Sequence, residues 1–434
     1  MTAEFQVQGV RVSELARRYG TPLFVYDGAV LRDRFHGLRD RLHPAMEIFY
    51  SLKANPNISV CALLHSFGAG AEVSSLVELT TALRAGVPPE QVIFLGPGKS
   101  REELAACLDT GIHAVVCESL PEVALVDELA RDRGVRAPVA LRVNPRFSVR
   151  RAALAMGGKP RQFGIDEEEL FDLAARTDLA KRFPGVDLMG VQVYMGTRIL
   201  HEDVIVENTA RILDLAERLS AAFDVDPRMV DVGGGLGVAY FDGESDLDAK
   251  SLTDRLNPVV DAFSARHPGT RLIMELGRYL TAEAGTYVMG VRYTKTSMGE
   301  RFAVADGGTH HHMAAVGIGS FVKRNFPMAV LNRLDEPPAE EWNVTGPLCT
   351  PGDTIGRKVP LPPVRPGDLI GVHRSGAYGP TASPGLFLGH GHPAEVLVHE
   401  GRCHLVRERD HPDDLLRRQR LFDPAADHET DVSH

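Results

Sequence analysis

The sequence predicts an α/β protein, a (β/α)8 barrel of the TIM type followed by a C-terminal β domain of barrel or sandwich form. Three observations point there. Eight short apolar, β-branched-rich runs recur between residues 47 and 275, helical periodicity fills the stretches between them, and beyond about residue 284 the texture changes to strand-like alternation. The span fits the roughly 250 residues of a typical (β/α)8 barrel, and an open doubly wound sheet is the alternative.

The eight runs lie at 47–51, 70–73, 92–95, 114–117, 138–144, 188–193, 229–232 and 272–275. Between them, 75–85, 101–109, 121–133 and 203–220 space apolar residues at three and four, as helices packed on a sheet do. Later strands are expected at 286–293, 301–305, 368–372, 394–398 and 403–406, with Pro and Gly between them. The run 23–26 also reads as a strand and is assigned with them. The expected division is therefore a barrel over 27–283, a β domain from 1–26 and 284–408, and a charged tail over 409–434. Within the tail, 415–421 is expected to be helical and 423–434 disordered.

A chain of 434 residues accommodates two or three domains. With 58 acidic against 48 basic residues, a net charge of −10, a general nucleic-acid surface is disfavoured. Five cysteines in no metal-type spacing indicate neither a disulfide scaffold nor a zinc site. No basic-then-apolar leader and no membrane-length apolar stretch is visible, so the expectation is a cytoplasmic protein with no membrane partner.

Barrels of this kind carry their chemistry just past the carboxyl ends of the strands, with phosphate sites after strands seven and eight. Lys53, in Tyr50-Ser51-Leu52-Lys53-Ala54-Asn55-Pro56, follows strand one. A partly desolvated lysine there loses proton affinity and becomes a Schiff-base nucleophile; an ordinary solvated strand-end lysine is the plain alternative. Asp231-Val232-Gly233-Gly234-Gly235-Leu236-Gly237 follows strand seven, and its glycines let backbone N–H groups approach a phosphate. Its spacing is not that of a dinucleotide fingerprint, and Gly98-Lys99-Ser100 lacks the first glycine of a nucleotide P-loop. Glu275-Leu276-Gly277-Arg278 follows strand eight and sets a carboxylate at the barrel floor, facing a heteroaromatic nitrogen or paired with Arg278. Lysine, phosphate loop and carboxylate together match the aldehyde, phosphate and ring nitrogen of pyridoxal 5'-phosphate.

These motifs, with Gly346-Pro347-Leu348-Cys349, Gly352-Asp353 and Gly376-Ala377-Tyr378, resemble the fold type III pyridoxal phosphate decarboxylases, which include diaminopimelate and ornithine decarboxylases. The resemblance runs from about Leu23 to Val406 and implies an alanine racemase-like barrel. It further implies that Lys53 holds the cofactor covalently, that Gly234, Gly235, Gly237, Gly277, Arg278 and Tyr378 hold its phosphate, and that Glu275 binds the ring nitrogen. Cys349 is implied as the proton donor, supplied by the second subunit of a homodimer with shared active sites.

Several positions depart from that pattern. Tyr194-Met195-Gly196-Thr197 replaces a His-x-Gly-Ser motif, leaving Tyr194 to stack on the cofactor and Thr197 to offer a hydroxyl to the phosphate. Ala314 stands where diaminopimelate decarboxylases carry an arginine for the distal carboxylate, and Thr350 where they carry an acid for the distal amine. Thr309, His310, His312, Thr350 and Asp353 are therefore expected to line the substrate pocket. His310, His311 and His312, read as extended chain, point alternately and make a poor metal site, so no metal is expected.

The Gly-Gly-x-His-His-His-Met-Ala-Ala pattern resembles a subgroup from biosynthetic clusters, some members of which act on an amino acid tethered to an acyl carrier protein. This implies α-decarboxylation of a tethered aspartyl, methylaspartyl or glutamyl group, with free diaminopimelate, lysine or ornithine as the alternative. A carrier, being acidic, would need a basic rim from Arg150, Arg151, Lys159 and Arg161, or from Lys323 and Arg324. A racemase would need a tyrosine as second acid/base, and a cofactor-free binding relative would not need the phosphate glycines; both are disfavoured.

Overall fold

A computed structural model describes residues 3–148, 154–155, 158–316 and 324–422. The expected tail segment 423–434 lies outside them.

Eight parallel strands close on themselves. In chain order they are Met46–Ser51, Gly70–Val73, Val92–Phe94, Ala114–Cys117, Ala137–Asn144, Val186–Gln192, Met229–Gly234 and Arg271–Leu276. Each pairs with the next, and the eighth returns to the first, with Glu275 opposite Phe49 and Leu276 opposite Tyr50. The barrel is thus closed, not an open sheet. Strand residues alternate between two faces, and Phe49, Ile93, Val116, Ala140, Met229 and Ile273 fill the interior as one buried cluster. The opposite faces pack under the surrounding helices.

Those helices begin where the sequence supplies caps. Ser75 accepts the Glu78 N–H to start Leu76–Arg84, and Ser100 with Glu103 forms a reciprocal capping box at Arg101–Thr110. The long helix Glu202–Phe223 ends at Asp224 in the left-handed conformation.

The β domain is a second sheet whose centre is the long strand Gly285–Ser297. Its first half pairs antiparallel with Leu23–Asp27 and with Leu369–Val372, and its second half with Glu300–Ala305. Leu23–Asp27 also lies parallel to Ala394–His399, so a segment preceding the barrel is stitched into the sheet that follows it.

Three strands of this second sheet escape the sequence reading, for local reasons. Met328–Val330 is only three residues behind a proline; Glu340–Thr345 opens on two glutamates; Thr354–Leu361 is interrupted by Gly356 and by Lys358 in a left-handed conformation. The C-terminal helix is also displaced. It runs Pro412–Leu416, not 415–421, because His411 caps it and Pro412 occupies its first position.

Candidate active site

The ends of strands one, six, seven and eight surround one cleft, lined by Lys53, Tyr194, Thr197, Gly235, Glu275, Gly277, Arg278 and Tyr378. A larger open cleft lies at the opposite end of the barrel, around Arg136, Asp187 and Arg228, and contains none of these groups.

Lys53 sits in a single helical turn, Leu52–Ala54, directly after strand one. Its ammonium donates to Glu72 Oε2 at 2.8 Å, and its side chain is 40% exposed toward the cleft. Glu72 is 1% exposed and also accepts from the Ser51 and Ser74 hydroxyls. Burial opposes the lysine's charge, but Glu72 and then Glu275 outweigh it and hold Lys53 above its ordinary pKa. The expected loss of proton affinity is therefore corrected: without the cofactor this amine is a stabilised ammonium. Burial likewise opposes the Glu72 carboxylate, and Lys53 with the two serines keeps it below the usual range.

Across the cleft, Glu275 is 3% exposed and accepts from Gln192 Nε2 at 2.9 Å. It does not pair with Arg278, whose Nη1 donates to the Tyr240 hydroxyl at 3.0 Å. Tyr194 lies with its ring centroid 5.9 Å from Lys53 Nζ, and burial pushes its phenol up to about 12.

The glycines are fixed by close backbone approaches. A Cβ on Gly234 would fall 1.7 Å from the Glu275 carbonyl oxygen, and Gly235 has φ +90°. Gly237 differs in role, since its N–H is already given to Ile199 O at 2.8 Å.

The donors fit an aromatic phosphate ester with an aldehyde. Arg278 Nε is buried without a partner beside the cleft, where Gly235, Thr197 and Tyr378 also stand. The Arg278 guanidinium lies 4.5 Å from the Tyr378 ring centroid, which holds it in place. An amine nucleophile and a buried carboxylate occupy the remaining sides.

Other expected residues lie apart from this cleft. Cys349 is an exposed free thiol, on the loop that carries Thr350. Asp353 is 3% exposed and fully engaged: it accepts from Thr309 N–H (2.7 Å), the Thr309 hydroxyl (2.9 Å) and Leu348 N–H (2.8 Å). Thr309 and Asp353 thus tie the histidine loop to the Cys349 loop rather than opening into a pocket.

The three histidines lie in a turn, not in extended chain. The His310 and His311 ring centroids are 3.8 Å apart, while His312 turns to Ser375 Oγ at 2.9 Å. Burial pushes all three down, His310 to about 4 and His312 to about 3, so they are neutral. Ala314 lies in the short turn Met313–Val316. Of the basic-rim residues, Arg150, Arg151 and Lys323 lie outside the described residues. Lys159 and Arg161 are exposed after strand five, and Arg324 lies 4.3 Å over the Phe241 ring.

Sequence reasoning missed Glu72, Arg142, Gln192 and Asp231. Their signal is a charged or amide side chain inside an apolar strand run, as in Val230-Asp231-Val232, which in a closed barrel faces other side chains, not water. Arg142, for example, is buried against Glu118 at 2.8 Å and lies 4.7 Å from the Phe163 ring centroid.

A (β/α)8 barrel with a lysine, a buried carboxylate and a glycine-rich loop at its strand ends is the arrangement of a pyridoxal phosphate enzyme of the barrel type. The chain belongs to the pyridoxal-dependent decarboxylase family: residues 29–282 match the family described as "Pyridoxal-dependent decarboxylase, pyridoxal binding domain". It is 39% identical over 412 residues to the L-glutamyl-BtrI acyl-carrier protein decarboxylase of Niallia circulans, covering 94% of this chain and 96% of that one. It is 32% identical to the diaminopimelate decarboxylase of Vibrio cholerae, covering 92% and 93%. Among solved structures, the diaminopimelate decarboxylase of Helicobacter pylori complexed with L-lysine superposes with TM-score 0.83 at 26% identity, covering 93% of this chain and 98% of that one. The protein is a pyridoxal phosphate-dependent decarboxylase.

Proposed function

We propose that the enzyme removes the α-carboxylate of an acidic amino acid whose side-chain carboxyl is a thioester on an acyl carrier protein, with glutamyl as the first candidate. The observation that carries this reading is the near full-length similarity to a glutamyl-carrier decarboxylase, 39% against 32% for a diaminopimelate decarboxylase. Ala314 and Thr350 agree with it. A thioester has no charge, and an arginine facing it would be a buried unpaired cation costing several kcal/mol.

When bound, the cofactor supplies the electron sink for the bond broken at Cα. Lys53 Nζ would hold its aldehyde end, as the amine nucleophile of the cleft. Arg278, Thr197, Gly235 and Tyr378 would anchor the phosphate, Tyr194 would cover the ring, and the Glu275 carboxylate would keep the ring nitrogen protonated through a charge-assisted hydrogen bond. Cys349 Sγ delivers a proton to Cα after carbon dioxide departs and recovers one from solvent, so the turnover consumes one proton. Cys349 is absent from the Lys53 cleft of its own chain, which supports a homodimer in which each subunit completes the other's site. All five cysteines are free, which fits a reducing compartment such as the cytoplasm. Among the described residues no helix is long and apolar enough to cross a membrane.

The test is direct. The protein is incubated with carrier-loaded glutamyl, aspartyl and methylaspartyl thioesters and with free glutamate, diaminopimelate, lysine and ornithine, and loss of carbon dioxide is read by mass. Turnover of a loaded carrier at a higher kcat/KM than any free amino acid is expected. The reverse order makes the protein a free amino acid decarboxylase.

A further inference from the structure

Asp231 takes no part in the chemistry above, yet it lies wholly buried within the barrel, in strand seven. Its Oδ1 accepts the Gly233 N–H at 2.8 Å, and its Oδ2 meets no hydrogen-bond donor. The carboxyl group of Glu275, on strand eight, is its charged neighbour. Gln192 lies in register with Asp231 on strand six, gives its Nε2 to Glu275 Oε1 at 2.9 Å, and keeps an Oε1 that also lacks a donor. The pocket therefore holds more acceptors than hydrogens. Two neighbouring carboxylates this deeply buried do not both stay charged, so one proton is added.

The surroundings decide which group takes it. Burial and then Glu72 push Glu275 up as well, but Lys53, Asp231 and Arg142 pull it back and Gln192 donates to it, whereas Asp231 has only the Gly233 N–H in its favour. Burial and then Glu275 push Asp231 well above the usual carboxylate range, with Glu72 adding to the rise.

We infer that Asp231 is a neutral carboxylic acid whose Oδ2–H is donated to Glu275, a positioning residue that keeps Glu275 anionic and fixed between two donors. The inference deepens the proposed function, resting on the reading that Glu275 faces the cofactor's ring nitrogen. A neutral acid is suited to this place. It orients the Glu275 carboxylate without adding a second negative charge that would compete for the same proton.

Infrared spectroscopy of the full-length protein at neutral pH, with and without pyridoxal phosphate, tests it. The wild type should show a buried carboxylic-acid carbonyl band that shifts in deuterium oxide. Asp231→Asn should lose that band and Glu275→Gln should keep it. Absence of the band from the wild type, or its survival in Asp231→Asn with loss in Glu275→Gln, overturns the inference. Cofactor affinity gives the second readout. Asn preserves a neutral donor and acceptor, so Asp231→Asn should bind pyridoxal phosphate within a few-fold of wild type, whereas Asp231→Ala strips Glu275 of a donor and should bind about ten-fold more weakly or worse. If Asn is as weak as Ala, Asp231 acts through its charge and the inference fails. A wild type that binds no pyridoxal phosphate would instead refute the cofactor reading, leaving the infrared assignment of Asp231 to stand or fall separately.

Discussion

Lys53 Nζ donates to Glu72 Oε2 at 2.8 Å, linking the ends of the first two barrel strands, and this contact favours the lysine's charged form. The two residues are 19 apart in sequence, with a whole helix between them, so no local pattern pairs them.

If the cofactor is loaded onto Lys53, as proposed, this pair should govern the pH dependence of loading. A lysine whose folded pKa is raised keeps its ammonium to higher pH, and the stability it gains is complete below the ordinary lysine value of about 10.4 and lost as pH climbs through the raised one. Only the free amine attacks an aldehyde. Glu72→Gln removes the neighbouring charge while leaving a side chain that still bonds Ser51 and Ser74. The rate of cofactor incorporation should then begin its alkaline rise about one pH unit or more lower, with Glu275 retaining part of the shift. A stopped-flow pH profile measures this, and coincident profiles for the two proteins would show that Glu72 does not control Lys53.

Lys53→Ala should lose the borohydride-trapped cofactor adduct seen by peptide mass mapping. Lys99 is the buried lysine most able to mislead, but its side chain is only 1% exposed and its ammonium is held by Gly96 O at 2.6 Å and Glu122 at 2.7 Å. An adduct on Lys99, or on any other lysine of the variant, would remove Lys53 from its assigned role.

Asp353→Ala should unfasten two loops at once. Three donors, the Thr309 and Leu348 N–H groups and the Thr309 hydroxyl, lose a buried charged acceptor, a loss on the order of 3 kcal/mol. Thermal unfolding should come measurably earlier, and turnover should fall because the loop bearing Cys349 loses its anchor. Unchanged melting with unchanged kcat would mean that the clamp has no mechanical part.

Much of the fold was legible because a (β/α)8 barrel repeats one signal eight times. All eight strand runs overlap the observed strands, and the apolar spacings at 75–85 and 101–109 fall on observed helices. The β domain was harder to read, since Glu340–Thr345 and Thr354–Leu361 pair with each other across a bulged register and carry charged residues and a glycine in place of clean alternation. At the site, Lys53, Glu275 and Arg278 were readable from motifs and strand-end position, and they share one cleft. Glu72, Gln192 and Asp231 were not, because a lone polar residue in an apolar run reveals nothing until closure of the barrel shows what it faces. The histidine loop misled for a related reason: three identical side chains in a turn look the same in sequence as three on a strand.

The subunit arrangement makes the last prediction. If Cys349 serves the partner's cleft, a Lys53→Ala homodimer lacks both cofactor lysines and a Cys349→Ala homodimer lacks both proton donors, so neither turns over well. In a mixed dimer one cleft combines both mutations and the other has neither. Random exchange gives about half mixed dimers, each with one intact cleft of two, so about a quarter of wild-type activity should return under the two-fold symmetry of an isologous interface. Exchange is followed independently, by native mass spectrometry of subunits carrying different tags. Activity that stays at the sum of the two homodimers after exchange is complete would place Cys349 in the same subunit's reaction, and the thiol's exposure on the isolated chain would then need closure of its own loop to reach Lys53.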